Sequence, residues 1–96
     1  MLTVNKIQDV VTKLGKKYGL ASAYLFGSYA KNNATEESDV DIIIERGEVK
    51  TYDKYYHLHK ELEAELGKSV DLLATDGVRP MFYELIKNER IPLYGA

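Results

Sequence analysis

The sequence predicts a small α/β (α+β) domain in which one mixed β-sheet is flanked by helices. Segments 3–18 and 52–66 carry apolar residues at helical spacing. Three short apolar runs, 20–26, 40–45 and 69–74, read as strands. Helix and strand patterns alternate along the chain, which is the arrangement of one sheet with helices packed on it. With 96 residues there is room for one core, so a single domain over 1–96 is expected.

In the first segment Val4, Ile7, Val11, Leu14 and Tyr18 share a stripe, with Thr3 placed to cap its start and Gly19 to end it. LASAYLF, 20–26, is stopped by Gly27-Ser28. Residues 29–38 are polar and loop-like, with room for an opening helical turn. VDIIIE, 40–45, is β-branched and nearly all apolar, as a buried central strand requires. Tyr55, Leu58, His59, Leu62 and Leu66 mark the inner stripe of 52–66, which Gly67 ends. SVDLLA, 69–74, is the third strand, and Asp76-Gly77 is a turn. Segment 78–89 is expected to be helical, with Pro80 in its first turn and Phe82, Leu85 and Ile86 facing inward. IPLY, 91–94, fits a short edge strand, where Pro92 is acceptable.

Composition narrows the function. Hydrophobic residues make up 45% and charged residues 29%, an ordinary globular balance. No apolar run approaches the length of a membrane span, and the N-terminus lacks the pattern of a signal peptide. The absence of cysteine excludes disulfides and thiolate metal sites. A soluble cytoplasmic protein is expected. A net charge of −2 argues against direct nucleic-acid binding through a broad basic surface, but not against a local phosphate site. The eight tyrosines read mainly as half-buried packing residues.

Residues 26–41 read FGSYAKNNATEESDVD. Side chains two apart in a strand point to one face, so Asp39 and Asp41 should project together. Carboxylates that close disfavour each other's ionisation, and a dication between them removes the conflict. Mg²⁺ is held in this way, by one or two carboxylates plus substrate phosphates. If the strands at 40–45 and 69–74 are neighbours, Asp71 completes a three-carboxylate cluster suited to two metals. Gly27-Ser28, between a strand and a helical turn, offers backbone N–H groups and a hydroxyl to a phosphate. Taken singly, each feature has a plainer reading: Asp39 as a turn residue, Asp71 as a surface residue on an edge strand, Gly27-Ser28 as a simple turn. Four such residues at fixed positions, two of them at the mouths of apolar strands that disfavour aspartate, favour a metal–phosphate site.

On these residues, Gly27, Ser28, Asp39, Asp41 and Asp71, the sequence resembles the DNA polymerase β-like nucleotidyltransferase superfamily. Its signature is Gly-Ser, a spacer of about ten, Asp-x-Asp and a later acidic residue. At this size it resembles the minimal nucleotidyltransferases, the MNT antitoxins of HEPN/MNT toxin–antitoxin pairs. The resemblance implies a palm-like fold and transfer of AMP from ATP, with two Mg²⁺ ions, to a hydroxyl of a cognate HEPN toxin. A tyrosine acceptor and a hetero-oligomer with the partner are further implications. Ser28 and the backbone at Gly27 would hold the β- and γ-phosphates, and Asp39 and Asp41 would ligate both metals. Asp71 would ligate the catalytic metal and take the acceptor's proton. Many relatives carry a basic residue and then Gly after Gly-Ser; here Lys31 precedes Asn32-Asn33. Lys31 is therefore either a phosphate ligand or an exposed loop lysine. Two other functions stand beside the enzyme: a non-catalytic antitoxin that neutralises its partner by docking, and a small-molecule nucleotidyltransferase. A polymerase fragment is disfavoured by the acidic charge and the small size. The base of the nucleotide is not written in the residues; ATP comes from the resemblance.

The remaining polar residues have plain readings. His57 and His59 diverge on a helix and cannot share a metal; His59 reads as packed and His57 as solvent-facing. Glu36 and Glu37 read as an exposed acidic loop. Tyr52, Tyr55 and Tyr56 read as helix packing, with a partner interface as the other possibility. Arg79 is either near the nucleotide or a surface arginine.

Overall fold

The computed structural model describes residues 2–95. Helix α1 spans Val4–Tyr18, strand β1 Ser22–Phe26, and a single helical turn, α2, Gly27–Ala30. Strand β2 spans Val40–Glu45, helix α3 Tyr52–Leu66 and strand β3 Val70–Ala74. A 3₁₀ turn at Thr75–Gly77 leads to helix α4, Pro80–Lys87, and strand β4, Ile91–Tyr94. The strands lie in the order β3-β2-β1-β4. β2 and β3 are parallel, whereas β1 is antiparallel to both β2 and β4. This is the mixed sheet with flanking helices expected from the alternating patterns.

The long helices are set by local chemistry. The Thr3 hydroxyl accepts from the Lys6 N–H and the Thr51 hydroxyl from the Lys54 N–H, each satisfying an end donor. Gly19 and Gly67 close the same helices in left-handed conformation. α1 tolerates Gly15 in its interior because β4 packs there: a Cβ would lie 2.7 Å from the Tyr94 ring.

One face of the sheet is closed. Ala23, Leu25, Val40, Ile42, Ile44, Val70 and Leu72 pack against Ile7, Val10, Val11 and Leu14 of α1 and Leu58, Leu62 and Leu66 of α3. A fully buried aliphatic side chain of this kind contributes about 1.5–3 kcal/mol. The other face carries a smaller cluster, Phe26, Ile43 and Ile86, with Tyr24, Leu73, Val78 and Tyr83 at its margin.

α4 lies on that second face, with Val78 ahead of it, and here one expectation is corrected. Of Phe82, Leu85 and Ile86, only Ile86 is buried; Phe82 is 39% exposed and Leu85 67%. An eight-residue helix on one face of a sheet presents a narrow inner stripe. Tyr83 and Ile86, three apart, fill it, and the apolar neighbours turn outward. The strands at 20–26 and 69–74 also begin later than expected, at Ser22 and Val70.

Candidate active site

β2 and β3 run parallel with Asp41 opposite Asp71. Alternation along β2 sends Val40, Ile42 and Ile44 to the closed face, so Asp41 shares the open face with Ile43. Asp71 shares it with Leu73 for the same reason. Phe26, the last residue of β1, is opposite Asp41 in the antiparallel register. The chain turns directly after it into α2. Gly27 there has φ +71°, and a Cβ on it would fall 2.1 Å from Asp41 Oδ2. The carboxylate of Asp41 occupies the space that any other residue at position 27 would fill. Gly27 is therefore required twice, by its backbone conformation and by this contact.

Ser28 follows in the first turn of α2, half-buried. Tyr29 is 5% exposed and sits in the main core, which anchors the turn carrying Gly27 and Ser28. Its buried hydroxyl has no hydrogen-bond partner among the described residues. Asp39 is exposed and lies one residue ahead of β2, where the expected strand at 40–45 puts it.

The electrostatics are those of crowded carboxylates. Asp41 is pushed up from the usual carboxylate range to about 6. Burial is the first cause, followed by a hydrogen bond with Asp71, the charge of Asp71 and the charge of Asp39. Among the described residues no three His, Cys, Asp or Glu side chains converge into a ready-made ligand set. The arrangement is an adjoining pair, Asp41 and Asp71, with Asp39 contributing its field from the strand's mouth. Two carboxylates that repel each other suit Mg²⁺, which completes its shell with phosphate oxygens and water.

The other candidates are also placed. Lys31 closes α2 and pairs with Glu89 at 3.2 Å, at the far end of the α4 segment. Glu36 and Glu37 are exposed, and the Lys68 ammonium donates to the Glu36 carbonyl. His59 is partly buried against the Val70 carbonyl at 2.6 Å, and His57 is exposed. Arg79 caps α4 and is exposed. Tyr55 is partly buried and donates to the Leu72 carbonyl, whereas Tyr52 and Tyr56 are exposed and stacked, their centroids 6.4 Å apart. A cavity of about 470 Å³ lies at the opposite end of β2 and β3, lined in part by Arg46, Lys50 and Asp76. Gly27, Ser28, Asp39, Asp41 and Asp71 do not line it.

Sequence reasoning missed the aromatic neighbours of the candidate site. Phe26 lies beside Asp41 by register, and Phe82 stands edge-on to it. The Phe-Gly-Ser order was visible, but the contact with α4 was not, because it depends on where α4 crosses the sheet.

Residues 5–96 match the family model described as Polymerase beta, Nucleotidyltransferase. A candidate protein adenylyltransferase of Methanocaldococcus jannaschii, MJ0435, is 38% identical over 90 residues, covering 94% of this chain and 97% of that protein. The protein adenylyltransferase MntA of Thermococcus cleftensis is 35% identical over 83 residues, covering 82% of this chain and 84% of that protein. A crystal structure of the toxin–antitoxin pair MntA–HpeT superposes with a TM-score of 0.75 at 26% identity. That match covers 100% of this chain and 75% of the solved one.

Proposed function

Because the chain belongs to the polymerase beta nucleotidyltransferase family, and is a nucleotidyltransferase, we propose that it transfers AMP from ATP to a tyrosine hydroxyl of a HEPN-domain toxin and so acts as that toxin's antitoxin. The observation that carries this reading is the convergence of Asp41, Asp71 and Gly27 at one end of the open face. Support for a protein acceptor comes from the MntA relative, and support for a toxin partner from the MntA–HpeT pair.

The positions support these proposed roles. Gly27 and Ser28 bind the β- and γ-phosphates at the start of α2, where the backbone N–H groups are unpaired within the turn. Asp39 and Asp41 would hold two Mg²⁺ ions, and Asp71 would join them on the catalytic ion. When bound, the ions neutralise charge on the triphosphate and on the attacking oxygen. Asp71, exposed at the margin, accepts the proton of the acceptor hydroxyl. The bond from the α-phosphorus to its bridging oxygen breaks, a phosphorus–oxygen bond to the acceptor forms, and pyrophosphate leaves. Orientation and charge stabilisation carry most of the rate in such a displacement.

The test is co-expression with the protein encoded beside it, followed by intact mass of both chains, with and without Asp41→Asn. A partner heavier by one or more AMP units only with the unaltered chain is the expected result. A neutralised partner that co-purifies unmodified would replace transfer with docking.

A further inference from the structure

Every substrate of the proposed reaction brings a planar ring: the nucleobase of the triphosphate and the phenol of the acceptor. Neither can approach from the side of α1 and α3, which is filled by the core. The open face offers an aromatic surface beside Asp41. Phe26 is the cross-strand partner of Asp41, a placement that puts the two Cα atoms roughly 5 Å apart. Phe82 of α4 stands against Phe26 with ring centroids 6.1 Å apart and planes at 85°. Phe26 is 8% exposed and Phe82 39%, so a buried ring supports an exposed one.

The exposed ring has a rigid mount. The Arg90 guanidinium lies 3.9 Å from the centroid of Tyr24 and donates to the Tyr83 hydroxyl at 2.8 Å. Tyr24 is two residues before Phe26 on the same strand face, and Tyr83 is next to Phe82. Ile86 fixes the following turn and is 7% exposed.

We propose that Phe82, backed by Phe26, receives the planar ring of a substrate at the edge of the Asp41–Asp71 site. The shared chemistry is an aromatic ring, from either the nucleobase or the acceptor phenol. The proposal rests on the nucleotidyl-transfer reading of that site.

The experiment compares Phe82→Ala, Phe82→Leu and Phe82→Tyr with the unaltered chain in two arms. The first arm measures binding of Mg²⁺ with a non-hydrolysable ATP analogue by calorimetry, beside inorganic tripolyphosphate, which has no ring. The second measures KM for the acceptor protein. A nucleobase on the shelf weakens analogue binding about tenfold in Phe82→Ala, leaves tripolyphosphate unchanged, and is restored by Phe82→Tyr. An acceptor phenol there raises acceptor KM by the same factor, with kcat at saturation preserved and the same restoration. Analogue affinity and acceptor KM both within twofold of the unaltered chain would overturn the proposal. Should Phe82→Ala lose cooperative melting, Phe82→Leu carries the measurement. If the unaltered chain transfers nothing to protein, the functional reading fails by itself. The analogue arm then decides the shelf alone, and an unchanged affinity there overturns it.

Discussion

The two faces of the four-stranded sheet serve opposite ends. On the closed face the strand residues are aliphatic and almost wholly buried, with Val40, Ile42 and Ile44 at 0% exposure. On the open face the alternate residues of β2 run Asp41, Ile43, Glu45: half-buried, buried and exposed. Stability is concentrated where two long helices pack, and the proposed chemistry lies on the face that the short α4 covers. A carboxylate pair beneath α1 and α3 would be stripped of water with no partner, at a cost of several kcal/mol. At the open end the pair keeps access to solvent, with Asp41 half-buried and Asp71 exposed.

This contrast can be broken from either side. The largest effect belongs to Asp41→Asn, which should lower transfer by on the order of 10³-fold or more. Because it removes a repelled charge and little volume, its melting temperature should equal or exceed that of the unaltered chain. A large loss of stability in a thermal melt would make Asp41 a structural residue. On the closed face, Leu58→Ala should cost about 2–5 kcal/mol in urea unfolding, since it empties a 0% exposed position. Transfer per folded molecule should then stay near normal. Gly27→Ala joins the two effects: the left-handed backbone costs about 1–2 kcal/mol, and the new Cβ displaces the Asp41 carboxylate. Transfer should fall far more than the stability loss explains, and assay of the folded fraction separates the two.

The smallest effect is a pH dependence. Asp41, pushed up to about 6 chiefly by burial and then by Asp71, binds its proton more tightly in the folded chain than in the unfolded one. The metal-free protein should therefore lose stability as pH rises from about 4 through about 6. Mg²⁺ with a triphosphate should flatten that loss. Melting temperature against pH, with and without the pair, is the readout; identical profiles would separate Asp41 from cation binding.

The parts of this protein legible in its sequence are those set by neighbours in the chain. Thr3, Gly19, Thr51 and Gly67 mark helix ends through local hydrogen bonds and backbone conformation, and α1 and α3 lie where those residues place them. The spacing of Asp39 and Asp41 and the Gly27-Ser28 turn were legible for the same reason. Features that depend on which elements meet were not. Leu85 was expected to face inward with Phe82 and Ile86, yet among the described residues α4 packs on the sheet through Tyr83 and Ile86, and Leu85 is 67% exposed. The pairing of Lys31 with Glu89 and of Phe26 with Phe82 joins residues more than fifty apart in sequence, brought together only by the crossing of α4.

The most direct measurement follows the phosphorus atom. The purified chain and its partner protein are incubated with Mg²⁺ and ATP labelled at either the α- or the γ-phosphate. Label from the α-phosphate should become fixed to the partner, γ-label should leave as pyrophosphate, and Asp41→Asn should abolish both. Partner labelled from the γ-phosphate, or α-labelling that survives Asp41→Asn, would contradict nucleotidyl transfer at the open face.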